Sequence, residues 1–184
     1  MLSGKEGSVL EKFYTALEEV LKMKIADFLK EFSDILPKYE HILENESIEN
    51  ILKHLKDGTH YLIVTDKKGK MRGIITYIDF MMMFGKKRTT ALFAPFSSVT
   101  RSLRKARMPL KTLSEMKASD VMCIAPPHVS ESSKVESALN NMSKTGNNFA
   151  VVIKGRDKVA GIITAHSIFR AIIRKANLYD NLEL

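Results

Sequence analysis

The chain has 184 residues, of which 45% are hydrophobic and 27% charged, and its formal net charge is +8 at pH 7. This composition is typical of a globular protein with one ordinary core or two small cores packed together. Apolar runs such as FMMMF at 80–84 are far shorter than the roughly 20 residues of a membrane span. The N-terminal MLSGKEGSVLEKF lacks the apolar core of a secretory signal, so we expect a cytoplasmic protein.

The first predicted element is an amphipathic helix that ends at about residue 22. Ser8 and Glu11 have the spacing of a capping box at its start. One apolar stripe follows from Val9, Phe13, Leu17, Val20 and Leu21. We expect this helix to pack on the rest of the protein or on a second copy of it.

Two similar segments follow the helix. A shift of 88 positions aligns GIIT at 73–76 with GIIT at 161–164, and a shift of 87 aligns His41 with His128. Each copy predicts a short helix, a brief strand, an amphipathic helix (about 47–57 or 134–144), two strands joined by a turn, and a closing helix. Each copy has only about 60 residues and would be marginal alone, so the two should pack sheet to sheet.

An insertion and a cysteine each occur in only one of the copies. The first copy carries six additional residues between Asp27 and His41, which we place in a surface loop. The single cysteine, Cys123, has apolar neighbours in the second copy, which favours a buried structural role over a reactive one.

A basic segment connects the copies. Between Phe80 and Ser114 there are eight basic residues and no acidic one: Lys86, Lys87, Arg88, Arg101, Arg104, Lys105, Arg107 and Lys111. Pro95 could open a helix within it. Such a run is usually a solvated surface, but it supports an alternative function, the binding of nucleic acid or another polyanion through residues 86–111. No groove-reading motif accompanies it.

The repeated order of elements, and above all the G-I-I-T-x-x-D pattern that ends at Asp79, resembles the cystathionine-β-synthase-type (CBS) domain. The resemblance covers most of 24–85 and 114–176. It implies an α+β fold of two β-α-β-β-α repeats packed sheet to sheet with pseudo-two-fold symmetry, plus the N-terminal helix. The predicted boundaries are 1–23 for the N-terminal helix, 24–85 for repeat 1, 86–113 for the linker, 114–176 for repeat 2 and 177–184 for the C-terminal tail.

Tandem repeats of this kind, called Bateman modules, imply a non-catalytic sensor. The resemblance implies an adenosine ligand (AMP, ADP, ATP or S-adenosylmethionine) in clefts between the repeats. It also implies a homodimer and a regulated partner protein that responds to occupancy.

Thr76 and Asp79 are the principal candidate ligand contacts. An ionised carboxylate can accept hydrogen bonds from both hydroxyls of a ribose, and a helix N-terminus favours phosphates. A capping box explains Thr76 and Asp79 without a ligand. That explanation fits the second copy less well, because Ser167 replaces the acid there. Both interpretations stay open.

The resemblance implies that each cleft uses both repeats. We expect the Asp79 cleft to include Ile74, the segment Ala125–His128 with Pro127 along the base, Asn148 and His166. We expect the reciprocal cleft to include Thr164, Ser167, Tyr39, Glu40, Ile162 and His60. Glu40 and Ser167 should disfavour an anionic nucleotide there. For His41 and His128 a structural role competes with direct ligand contact.

No catalytic chemistry emerges from the remaining sequence. The five histidines form no zinc-protease motif, and the sequence has no paired-cysteine metal site, hydrolase elbow or phosphate-binding loop. We therefore expect no enzyme activity, no metal, no catalytic cofactor and no further catalytic domain.

Overall fold

The structure is a computed structural model that describes residues 8–56, 58–82, 110–155 and 158–178. Most of the basic segment therefore lies outside the described residues. This part includes Pro95 and all of the basic residues except Lys111.

The elements of the two halves follow the order that the sequence predicts. The first half contains α1 (Val9–Lys22), α2 (Ile25–Glu31), a 3-10 turn (Ser33–Ile35), β1 (Tyr39–Leu43), α3 (Ile48–Lys56), β2 (Tyr61–Thr65), β3 (Met71–Thr76) and α4 (Tyr77–Met82). The second half contains α5 (Leu110–Glu115), α6 (Ala118–Val121), β4 (His128–Ser130), α7 (Val135–Thr145), β5 (Phe149–Lys154), β6 (Lys158–Thr164) and α8 (Ala165–Lys175). The predicted fold, two repeats and an N-terminal helix, is confirmed.

Each repeat forms a three-stranded sheet with the same pairing. β1 runs parallel to β2 and β2 runs antiparallel to β3, and the second sheet repeats this arrangement as β4, β5 and β6. Because side chains alternate along a strand, each central strand has one face for its helices and one for the other sheet. Leu62 and Val64 of β2 pack under helices, whereas Ile63 packs between the sheets.

The sheets meet through equivalent residues. Tyr61 and Phe149, which are 88 positions apart, contact each other with ring centroids 5.1 Å apart. Ile74 and Ile162 are fully buried in the same cluster. Contact between equivalent residues is what a pseudo-two-fold axis between the repeats requires.

The leading helix of each repeat packs on the opposite repeat. Phe28 of α2 belongs to the core that contains β5 and α8, whereas Val121 of α6 belongs to the core of the first repeat. Backbone bonds follow the same exchange: Ile25 N donates to Ser133 O at 2.8 Å, and Ala118 N donates to Glu46 O at 2.9 Å. Each core is therefore built from both copies of the sequence.

The residues inserted in the first copy are not a simple surface loop, which corrects the expectation from the sequence. Phe32 and Ile35 are buried, with 2% and 6% of their surface exposed, and both belong to the core of the second repeat. The spacing of Phe28, Phe32 and Ile35 places them on one helical face, so the inserted residues extend the buried stripe of α2. We refer to residues 32–38, in which we place the six additional residues, as the inserted segment.

Helix α1 has the predicted cap and a buried face. Ser8 N donates to Glu11 Oε2 at 2.7 Å, and Glu11 N donates to Ser8 Oγ at 3.2 Å. Ala16 and Val20 are buried in the core that α7 and α8 share. Among the described residues, no helix combines the length and the apolar character that crossing a membrane requires.

Candidate functional site

Thr76 and Asp79 form a closed capping box where β3 turns into α4. Thr76 donates to Asp79 Oδ2 twice, from its backbone N at 2.9 Å and from Oγ1 at 2.7 Å. Asp79 N in turn donates to Thr76 Oγ1 at 3.2 Å. Among the described residues only Thr76 bonds to this carboxylate, and both bonds end on Oδ2, so Oδ1 retains its capacity to accept from a ligand.

The wall beside Asp79 comes from the second repeat. Residues around Cys123 run antiparallel to β3, with Cys123 N donating to Ile74 O at 2.8 Å and Ile74 N donating to Cys123 O at 3.0 Å. This approach requires a glycine at position 73, because a Cβ there would lie 2.5 Å from Cys123 O. The repeated glycine of the GIIT pattern therefore has a steric reason in this copy.

Burial governs the protonation of both side chains at this wall. It raises the pKa of the Asp79 carboxyl, while the two hydrogen bonds from Thr76 act in the opposite direction. Burial and the neighbouring Asp79 charge raise the pKa of the Cys123 thiol. The thiol therefore stays protonated at neutral pH, which agrees with a structural role for Cys123.

The segment Ala125–His128 continues directly from this wall. Pro126 and Pro127 are buried, and Pro127 O accepts from Val151 N at 2.8 Å. His128 is exposed, and its Nδ1 lies 3.2 Å from Pro126 O. The structure thus brings this segment next to the β3 edge that carries Asp79. Ligand contact by Pro127 and His128 stays a prediction.

The equivalent turn of the second repeat is also a closed capping box, which corrects the argument made from the sequence. Ser167 Oγ accepts from Thr164 N at 3.0 Å and donates to Thr164 O at 2.9 Å, while Ser167 N donates to Thr164 Oγ1 at 2.9 Å. Serine can close the box because its hydroxyl both donates and accepts. Ser167 is completely buried, so no group at this turn matches the free carboxylate oxygen of Asp79.

The remaining candidate residues divide between the two helix starts. Asn148 lies beside the start of α8, where its carbonyl accepts from Ala165 N at 2.9 Å, and His166 is exposed in the first turn of that helix. His60 packs against Tyr77 at the start of α4, with ring centroids 6.3 Å apart.

The contact between Tyr61 and Phe149 connects the two helix starts. Tyr61 pairs with Thr76, which precedes α4, and Phe149 pairs with Thr164, which precedes α8. Burial and the nearby Tyr77 raise the pKa of Tyr61 to about 12.

The residues of β1 have two different environments. Tyr39 packs against the cluster between the sheets and makes an edge contact with His41, with ring centroids 5.7 Å apart. Glu40 points to the helix side, where Thr59 Oγ1 donates to its Oε1 at 2.9 Å and His54 contacts its Oε2. Glu40 is thus a fixed acceptor.

Comparison with known proteins decides the family. The family model of the CBS domain matches residues 30–85 and 118–174, which is more than half of the chain. The chain belongs to the CBS domain family. No curated protein matches the sequence.

Solved structures of CBS proteins share the fold. The CBS domain of a CBS-domain-containing membrane protein from Sphaerobacter thermophilus is 16% identical, with a TM-score of 0.61 over 88% of this chain and 95% of that one. CBSX2 in complex with AMP is 17% identical, with a TM-score of 0.56 over 82% and 96%. The cytosolic domain of the Mg²⁺ channel MgtE in complex with ATP is 16% identical, with a TM-score of 0.50 over 73% of this chain and 45% of that one.

Two features of this CBS pair were missed by sequence reasoning. Cys123 was interpreted only as a buried apolar residue, although its backbone forms the wall beside Asp79. The partners of Glu40, Thr59 and His54, were not identified at all. Gly73 could have indicated the wall at Cys123, because a glycine inside a strand often marks a close backbone approach. No pattern in the sequence indicated the partners of Glu40. Within the described part of the chain, no three His, Cys, Asp or Glu side chains are grouped to hold a metal ion.

Proposed function

We propose that this CBS pair is a non-catalytic regulatory module that binds one adenosine-containing ligand per chain, in the cleft headed by Asp79. The observation that carries the proposal is the Asp79 carboxylate, which caps α4 through Oδ2 alone and adjoins a wall supplied by the other repeat. A ribose places two adjacent hydroxyl donors, and a carboxylate with a free oxygen accepts from them. The AMP and ATP complexes among the related folds support this ligand class.

Binding at one cleft only is favoured by the difference between the two turns. Ser167 is buried and its hydroxyl is engaged by Thr164 as both donor and acceptor. We also expect the Glu40 carboxylate to lie in the reciprocal cleft, where it would repel phosphates. We therefore expect a stoichiometry of one nucleotide per chain.

The Asp79→Asn variant tests this function. Loss of charge-assisted bonds should weaken nucleotide binding by about 1.5–3 kcal/mol, which is roughly ten- to a hundredfold in Kd. The amide oxygen can still accept from Thr76, so unfolding in urea should change by only about 0.5–1 kcal/mol. Calorimetry with AMP, ADP, ATP and S-adenosylmethionine measures affinity and also ranks the four ligands.

Asp27→Asn is a matched control, because Asp27 is likewise an acid in the first turn of a helix but is exposed on α2. It should leave affinity unchanged. If Asp79→Asn destabilises the fold yet binds nucleotide as tightly as the parent, the carboxylate is only a helix cap and the proposed site is wrong.

The proposed module acts as a homodimer and passes its occupancy to a regulated protein. Equivalent side chains on the closing helices support an interface: Met81 of α4 and Phe169 of α8 are 62% and 51% exposed, and exposed apolar residues of this size favour association. Met81→Lys should shift the sedimentation coefficient towards the monomer. A cytoplasmic location and a nucleic-acid partner at 86–111 stay predictions.

A further inference from the structure

A cavity lies between the inserted segment and the start of β1, away from Asp79. It measures about 510 Å³ and is lined by Ser33, Leu36, Pro37, Lys38, Tyr39, Glu40 and Thr59. Its volume falls within the range of about 300–1,000 Å³ that small-molecule sites occupy. Four of these residues belong to the inserted segment, which the second repeat lacks, whereas Tyr39 and Glu40 align with Pro126 and Pro127 at the shift of 87 positions.

The cavity contains a carboxylate that the protein holds in place. Thr59, which is only 5% exposed, donates to Oε1 of Glu40, and His54 contacts Oε2. These bonds lower the pKa of Glu40, so the side chain is ionised at neutral pH. The Glu40 side chain is nevertheless 44% exposed, and each oxygen has a second lone pair for a ligand donor.

A positive charge and an apolar wall complete the lining. Lys38 is exposed and forms no ion pair with a described residue. Leu36 and Pro37 are partly buried in the wall, and the Tyr39 ring is held by its contact with the sheet cluster. The lining therefore presents one acid, one base and an apolar surface, with no net charge.

We infer that this cavity binds a small zwitterion, a free α-amino acid with an apolar side chain. The ligand ammonium would donate to Glu40, its carboxylate would pair with Lys38, and its side chain would lie on Leu36 and Pro37. A nucleotide fits this lining poorly, because its phosphates would meet the Glu40 carboxylate. The site shares no residue with the turn at Asp79, so it stands independently of nucleotide binding there.

Calorimetry with L-leucine and two analogues that each lack one charge tests the inference. Isoamylamine keeps only the ammonium, and 4-methylpentanoate keeps only the carboxylate. Leucine should saturate the protein with a millimolar or tighter Kd, and each analogue should bind at least about tenfold more weakly because one charge-assisted contact is lost. L-Phenylalanine and L-methionine extend the test to other apolar side chains.

Variants identify the site. Glu40→Gln and Lys38→Gln should each weaken leucine binding about tenfold, while Glu49→Gln, an exposed acid on α3 outside the cavity, should leave it unchanged. Lys38→Gln should leave the nucleotide affinity of the Asp79 cleft unchanged. Urea unfolding verifies that each variant is folded, and Lys38→Gln, whose side chain has no structural bond to a described residue, keeps the test valid if Glu40→Gln unfolds.

Three outcomes would overturn the inference. The first is that none of the three amino acids saturates the protein at about 10 mM. The second is that isoamylamine or 4-methylpentanoate binds as tightly as leucine, since the cavity would then recognise a single charge. The third is leucine binding that survives both variants. None of these outcomes bears on the Asp79 cleft, which the nucleotide titration measures separately.

Discussion

Asp79 combines a structural and a proposed binding role because its two oxygens differ. Oδ2 receives both hydrogen bonds from Thr76 and fixes the start of α4, whereas Oδ1 is left for a ligand. Partial burial raises the pKa of the carboxyl. The neutral acid is therefore favoured in the folded chain relative to the unfolded one, and this contribution to stability is present at acid pH and lost as the pH rises through the raised pKa.

We predict that nucleotide affinity falls on acidification, beginning above the pH range of an ordinary aspartate. The ribose hydroxyls donate to the ionised carboxylate, so binding is strongest above the raised pKa of Asp79 and weakens as the pH drops through it. Calorimetry from about pH 7 to pH 4 would measure this. Because the ligand also titrates, the informative quantity is the ratio of affinities of the parent and Asp79→Asn. That ratio should approach one in acid, and a ratio that stays constant with pH would contradict the prediction.

At the level of single residues, structure was predictable from the sequence where the residue types and their spacing determine the hydrogen bonds. The capping pair Thr76 and Asp79 was predictable from spacing alone. The box at Ser167 was underestimated, because whether a short hydroxyl reaches back to Thr164 depends on the turn geometry and not on the sequence pattern. That Glu40 disfavours an anion stays a prediction. Its partners could not be predicted, because they lie 14 and 19 positions away in the sequence and depend on the tertiary fold.

At the scale of elements, the two repeats place different structures beside the same strand. The extended segment around Cys123 bonds to β3 in the first sheet, whereas α2 lies beside β6 in the second, with Leu29 near Gly161. The order of helices and strands was predictable from periodicity and repetition. The burial of the inserted residues was not predictable, because comparison of the copies showed only that these residues were additional.

The paired glycines give a prediction for these elements. Gly73→Ala should destabilise the chain by about 1–3 kcal/mol, since its Cβ would lie 2.5 Å from the backbone oxygen of Cys123 and the bonded segments must separate. Gly161→Ala should cost less than about 1 kcal/mol, because the nearest atoms, at 3.2 Å, belong to the flexible end of Leu29. Urea unfolding of the two variants measures the difference. Equal effects would mean that the wall beside Asp79 is not as closely packed as described.

At the scale of the whole molecule, the exchange of leading helices joins the two repeats through shared cores. α2 completes the core of the second repeat and α6 completes that of the first. Sequence repetition predicted two units, but it could not predict that each unit donates a helix to the other, since periodicity identifies a buried face and not its partner. An effect of ligand on one repeat would therefore be transmitted to the other through shared cores.

We predict that a substitution in α2 destabilises both sheets equally. Phe28 is fully buried in the second core although it precedes β1 in the chain, and Phe28→Ala should lower the free energy of unfolding by about 3–5 kcal/mol. If the repeats unfold together, hydrogen exchange of the amides of β2 and β5 should accelerate by the same factor, because both report the same global transition. The exposed neighbour Asp27→Asn provides the control and should change neither sheet. Faster exchange confined to β5, with β2 unaffected, would show that the repeats unfold separately despite the exchanged helices.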